Sequence, residues 1–396
     1  MVGRIGARLI GMIGAAAMLA GMADPPAVTI QRIVTEARAA RERQDYAAYL
    51  GHVRRLVELL PGNPSTHYSL ARGQSLTGDR AAALATLTRL AELGFSFDVA
   101  GDPALEALRG DPAFAALVAR FSANGGSRGR AQPPVVLDMA GQQPEGVAYL
   151  GDDTFLFGTL RGAIYRVDLG GGAPQQLASA GASVVGIRPD PATGTFLACV
   201  GNEGAGQSMV QRRRLADGAL VAMYPLPAAG TFCNDIALVP GGFVATDSNN
   251  GALYRLQDAR LVALPIAPLL FANGIAADPS GSRLYVATGN GVMAVDLATN
   301  AVRPVAAAQL LGGIDGMVWH EGALYAVQGA VTPPRLLRIT PAEDGSARVE
   351  ALLSGHPSLA GATTVALRQS EAVVLSQTGI PNGSRPDDPI LLRVPL

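Results

Sequence analysis

Hydrophobic residues along the chain follow two different rules on either side of a break near residue 130. From Thr29 to Phe121 they recur at intervals of three and four, in segments rich in Ala, Leu and Arg that are punctuated by Pro61, Gly62, Pro64 and Gly78. That spacing is the buried face of a helix. Asp102-Pro103-Ala104-Leu105 and Asp111-Pro112-Ala113-Phe114 read as two further helix starts, with Asp capping the first amides and Pro in the first turn. Ser122 to Pro134 carries no periodic apolar positions and reads as a linker. From Val135 onward the helical period is gone, and short apolar runs alternate with Gly, Pro, Asn and Asp turns, as in short antiparallel strands.

The second region repeats. Pro144-Glu145-Gly146, Asn234-Asp235, Asn273-Gly274 and Ile314-Asp315-Gly316 each stand at the head of an apolar run, such as Val147-Ala148-Tyr149-Leu150 or Met317-Val318-Trp319. Asn234 and Asn273 are 39 residues apart, Asn273 and Asp315 are 42 apart, and Glu145 and Asn234 are 89 apart, which is two units with one unmarked unit between. A period of about 40 to 45 residues built from short strands is that of β-propeller blades. Six units are counted, beginning near Glu145, Ser183, Asn234, Asn273, Asp315 and Thr363. The segments Arg161 to Asp168 and Asn250 to Leu256 are near copies at the third strand. The last unit ends one strand short, at Ile390 to Val394, and Val135 to Met139 is the spare strand that would complete it and remove an open edge. The fold class predicted is an all-β six-bladed β-propeller over residues 135–396, preceded by a small all-α helical domain over 24–121 and the linker 122–134. In a propeller the innermost strands line one central channel, so the four heads of the repeat converge into one cluster of carboxylates and amides.

Leu70, Ala71, Gly78, Ala83, Leu87 and Leu90 fall where a tetratricopeptide repeat places its packing residues, and the segment resembles that family. A unit counted from Pro64 has its predecessor begin at Ile30, at the 34-residue period of that repeat. The resemblance implies either a groove for a protein partner or for self-association, or a cap packed on the propeller. So few units favour the cap.

Composition narrows the chemistry. The net charge is −1 and there is no long basic run, which leaves no electrostatic footprint for nucleic acid. Every basic residue is Arg, so Schiff-base chemistry, a phosphate-loop lysine and pyridoxal are excluded. Four His and two Cys cannot build a repeated His/Cys metal site, and any metal has to be held mostly by oxygen. Arg4 and Arg8 followed by the apolar run Leu9 to Met22 and the small residues before Asp24 have the order of a signal peptide, residues 1–23. The run is shorter than the roughly 20 apolar residues a span needs, so the expectation is a periplasmic or secreted protein with no membrane span in the mature chain. Cys199 and Cys233 fall near one rim of adjacent blades; because disulfide geometry is strict, two buried unpaired thiols are the expected state.

The segments 144–146, 234–236 with Thr246-Asp247-Ser248 downstream, 273–274 and 315–317 resemble the gluconolactonase and regucalcin family and, more distantly, the paraoxonases. The resemblance spans the propeller and not the helical region. It implies a divalent cation in the channel held by Glu145, Asn273 and Asp315, with Asn234 as a further ligand or a substrate contact. Two carboxylates with amide oxygens suit a hard cation; calcium is the first choice, with zinc, manganese or magnesium as alternatives. Asp247 is expected to touch substrate, and Asn202, Glu203, Gln328, His356 and the loop Thr378 to Pro389 are expected to rim the site. The histidine pair of paraoxonases has no counterpart, so Asp315 or Asp235 is the expected base unless the cation activates water itself. The opposing view is that Asn-Gly and Asp-Gly pairs are only turns, as Asn290-Gly291, Asp217-Gly218 and Asp344-Gly345 are expected to be.

Together these readings predict an exported, metal-dependent hydrolase of a small-molecule lactone or ester. The alternative is a metal-stabilised, non-catalytic propeller that acts with its helical domain as a protein-interaction scaffold.

Overall fold

A computed structural model of the chain describes residues 26–171, 173–201, 207–379 and 388–396; the signal-like segment 1–23 lies outside them. Six antiparallel sheets follow one another from Pro144 to the C-terminus. Their first strands are Pro144–Gly151, Ser183–Asp190, Cys233–Val239, Ile275–Ala277, Met317–His320 and Thr364–Arg368. Each first strand packs against the first strand of the next sheet, and the sixth packs against the first, so a ring of six blades closes. The second strands, such as Thr195–Gly201 and Ala323–Gln328, are buried throughout their length. Neighbouring blades cover both of their faces, which is why their sequences are continuous apolar runs and not alternating ones. The outermost strand Leu220–Pro225 is largely exposed and ends the blade.

Closure of the ring uses the predicted spare segment. Val135 pairs with Leu391 and Val136 with Ile390, giving the sixth blade its fourth strand. Only these two residues are strand. Leu137 donates its N–H to the Pro389 carbonyl at 2.8 Å, and Leu137 and Met139, each 2% exposed, fill the core between the sixth and first blades with Val147, Phe155, Phe157 and Leu391. The segment read as a linker is partly structured. Arg128–Gly129 pairs with Leu353 and Ser354 as a fifth strand on the fifth blade, and Gln132 N–H bonds to the Arg393 carbonyl at 2.8 Å. Pairing of this kind uses only backbone groups and leaves no side-chain pattern to read.

The expectation of unpaired thiols is corrected. Cys199, in the second strand of blade two, and Cys233, at the start of blade three, form a disulfide with Cα atoms 5.4 Å apart. Packing of adjacent blades sets that distance, within the usual range for a disulfide.

The helices are α1 Pro26–Glu42, α2 Tyr46–Leu59, α3 Pro64–Leu76, α4 Arg80–Glu92 and α5 Pro112–Asn124. Asp45 and Asp79 cap α2 and α4 by accepting the N–H of Ala48 and Ala82, and these caps stand one repeat apart in the sequence, as the 34-residue period requires. Asp102 and Asp111 also cap as expected, although Asp102 opens a short 3-10 turn, Pro103–Leu108. The layer docks on blades four and five. Leu60 packs with Leu270 and Phe271, the Gly62 carbonyl accepts the Gly312 N–H at 2.8 Å, and Ser96 N–H bonds to the Thr332 carbonyl at 2.7 Å. The buried Arg335 guanidinium lies 4.2 Å from the centroid of the Phe95 ring. First strands run away from the end where the repeat heads lie and second strands return to it, so these docking loops put the helices on the channel face that carries the heads. The Asn290 turn is not a free turn: it lies under this layer, with its side-chain oxygen buried and unbonded. Among the described residues, no helix is long and apolar enough to cross a membrane.

If side-chain packing by the closing segment holds the ring, Leu137→Ala and Met139→Ala should each destabilise the protein by about 2–5 kcal/mol. Val136→Ala, at a residue 61% exposed, should stay within about 0.5 kcal/mol. Urea denaturation of the three variants measures this, and equal effects would contradict it.

Candidate metal centre

One residue at the entry of each blade faces the channel. In blade order these are Glu145, Val185, Asn234, Asn273, Asp315 and Thr363, and all six line a single cavity of about 180 Å³. The following positions are Gly146, Gly186, Asp235, Gly274, Gly316 and Thr364. A Cβ on Gly146 would strike the Val185 carbonyl oxygen, and one on Gly274 would strike that of Asp315. None of the four glycines has a left-handed backbone. They are glycines because the next blade's backbone presses against them, and Glu145-Gly146, Asn273-Gly274 and Asp315-Gly316 head strands and do not turn them.

Backbone hydrogen bonds lock the entry positions together. Gly274 N–H donates to the Asp315 carbonyl at 3.0 Å, Gly316 N–H to the Thr363 carbonyl at 2.9 Å, and the Thr363 hydroxyl to the Glu145 carbonyl at 3.3 Å. Between blades three and four a side chain takes over: Asp235 accepts the Ile236 N–H at 2.8 Å on one oxygen and the Ile275 N–H at 3.0 Å on the other. Register shifts at Pro144/Gly146, Val184/Ile187 and Cys233/Ile236 mark bulges at the same level. Bulges of this type re-aim a side chain, here at the heads of the first three blades.

The electrostatics of the cavity are unbalanced. Burial pushes Glu145 well above the usual carboxylate range, and the charge of Asp315 adds to it. Burial raises Asp315 to about 7, opposed by a hydrogen bond from Asn273 and reinforced by Asp235. Asp235 is raised by burial too, although Arg188 and the two N–H donors pull against that shift. Oε2 of Glu145 is buried with no hydrogen-bond partner among the described residues. A buried carboxylate oxygen without a donor costs free energy unless a cation meets it. The donor set of Glu145 and Asp315 carboxylates with Asn273 and Asn234 amide oxygens fits a hard divalent ion. No group of three His, Cys, Asp or Glu residues that could hold a metal occurs among the described residues, so amide oxygens have to complete any such shell.

Glu145, Asn234, Asn273 and Asp315 are thus brought together as expected. Asp235 lines the same cavity, with both oxygens engaged by backbone. Asp247 is corrected as a substrate contact. It is wholly buried, lies outside the cavity lining, and accepts the N–H groups of Phe232 and Asn249 and the Asn250 amide, which braces the turn that follows it. Gln328 is also buried, donating to the carbonyls of Leu310 and Gly312 at 2.9 Å; it holds the loop that leads into Asp315. His356 accepts the Ser358 N–H and caps a short turn. Asn202, Glu203 and most of the loop Thr378 to Pro389 lie outside the described residues. Sequence reasoning missed Arg188, a cavity-lining cation. Counting three residues on from each entry position would have found it.

No family model matches the sequence, and neither does any curated protein. Among solved structures, a gluconolactonase from Xanthomonas campestris is similar over 68% of this chain and 100% of its own, at 18% identity and a TM-score of 0.47. A putative glucose dehydrogenase from Thermus thermophilus is similar over 68% and 99%, at 18% identity and 0.48. The WD40 propeller domain of Doa1 is similar over 63% and 78%, at 15% identity and 0.46.

The raised carboxylates carry a consequence for stability in metal-free protein. A folded-state pKa above the unfolded value means that the folded form favours the proton, so the contribution of this pair to stability is full at low pH and is lost as pH rises through about 7, the value for Asp315. Glu145→Gln removes one charge of the pair. In chelator, its melting temperature relative to wild type should rise between pH 5.5 and pH 8.5; a pH-independent difference would contradict the assignment.

Proposed function

We propose that this protein is an exported, divalent-metal-dependent hydrolase that opens cyclic esters of the sugar-lactone type in the propeller channel. The observation that carries the reading is the unpartnered, buried Oε2 of Glu145 beside a second carboxylate, Asp315, with Asn273 and Asn234 lining the same small cavity. Glu145, Asn273 and Asp315 would hold the cation, calcium being the first choice and magnesium, manganese or zinc the alternatives. A cation there supplies Lewis acidity to a carbonyl oxygen and lowers the pKa of water.

The chain's own groups do the rest. Asn234, 8% exposed, presents its amide to the cation or to substrate. Asp315 is the preferred proton acceptor, because Asp235 already receives two backbone N–H groups and gives up a blade-to-blade link if it protonates. The cavity suits one small ring and not a polymer. Export is supported by the signal-like N-terminus and by the disulfide, a bond that persists in oxidising compartments. The helical layer spends its apolar face on its own propeller, and among the described residues none of its large hydrophobic side chains is exposed, which favours the enzyme over the scaffold.

Elemental analysis of purified protein and a pH-drop screen of lactones with and without chelator test the activity. Removing one member of a buried charge cluster costs about 3–5 kcal/mol, and tenfold in affinity is about 1.4 kcal/mol. Glu145→Gln and Asp315→Asn should therefore each weaken metal binding by at least about two decades. Asp217→Asn, in an exposed turn where Asp217 pairs with Arg214, should leave it unchanged. Wild-type metal binding in both carboxylate variants, read by calorimetry, would remove the site.

A further inference from the structure

The interior of the channel carries one feature that the cation site does not use. Three residues beyond the entry positions, five of the six first strands place a small apolar residue: Ala148, Ala237, Ala276, Val318 and Ala366. Blade two places Arg188 there. Among the described residues lining the cavity it is the only cation, and its nearest carboxylate is Asp235.

Its guanidinium is only partly employed. Nε donates to the Ile236 carbonyl at 2.9 Å. Nη2 stands 3.8 Å from an Asp235 oxygen, beyond hydrogen-bond range, and the Asp235 oxygens already accept the N–H groups of Ile236 and Ile275. Nη1 has no hydrogen-bond partner among the described residues, and the side chain keeps 26% of its exposure. A brace to one carbonyl needs one donor and no charge. What remains is a forked pair of donors, the shape that receives a carboxylate on two parallel hydrogen bonds.

We propose that the channel's ligand carries a carboxylate that Arg188 receives, so that, resting on the hydrolase reading above, the substrate class is the lactone of a dicarboxylic acid. Such a ligand binds at two points: its ester, or the acid formed from it, at the polar ring of Glu145, Asn273 and Asp315, and its second carboxylate one level deeper at Arg188. A neutral lactone leaves the arginine fork empty.

The probes are glutarate and its isosteric monoamide glutaramate, which differ only in the charge at one end. Each is titrated by calorimetry into the full-length protein with calcium in excess. Wild type should bind glutarate at least about tenfold tighter than glutaramate, as one charge-assisted bidentate pair can supply. Arg188→Gln should cut that preference below about twofold while leaving glutaramate affinity unchanged. Arg188→Lys, which keeps the charge but not the fork, should retain an intermediate preference, and it serves as the test if the glutamine variant does not fold. No preference in wild type, or one that survives Arg188→Gln, overturns the proposal. Because binding is read without turnover, an Arg188-dependent preference in a protein that opens no lactone would remove the hydrolase reading and leave the carboxylate site standing.

Discussion

The close approach of six first strands around one axis is the constraint from which the rest follows. Where the strands enter the ring, each backbone presses on the next, and at four positions only glycine fits, as the collision of a Gly274 Cβ with the Asp315 carbonyl shows. The residue just before each of these contacts is held by its neighbours' backbone hydrogen bonds and has only the channel to face. Six such positions therefore form a preorganised ring whose chemistry is set by six side chains. Here they are two carboxylates, two amides, a hydroxyl and a valine.

That ring is stabilised from outside as well as within. The helical layer bonds through Gly62 to Gly312, and the buried Gln328 ties the same loop by two hydrogen bonds, three residues before Asp315. The disulfide does the same for blade three, since Cys233 immediately precedes Asn234. These braces hold Glu145 and Asp315 together on one cavity although each carboxylate raises the cost of ionising the other. The helical region is thus better understood as a support for one side of the site than as a separate module.

Much of this was legible in the sequence because it is repeated there. The blade period, the closing strand, the capping aspartates and the 34-residue helical period each recur, and recurrence distinguishes Asn273-Gly274 from the turn at Asn290-Gly291. What was not legible depends on distances between blades. Pairing of Cys199 with Cys233 needs a Cα separation that only packing fixes. Asp247 has the residue type of a ligand, yet its oxygens are consumed by its own turn and by the Phe232 N–H. Arg128–Gly129 adds a strand through backbone alone. Arg188 was hidden in the one blade whose entry residue, Val185, carries no polar mark.

The central claim is that Glu145, Asn273 and Asp315 converge on one divalent cation. Crystals grown with manganese and measured at its absorption edge test it most directly. The account predicts a single anomalous peak in the channel, about 2.0–2.6 Å from a carboxylate oxygen of Glu145 and of Asp315 and from the Asn273 amide oxygen. A peak elsewhere, or none in the channel at saturating manganese, would contradict it.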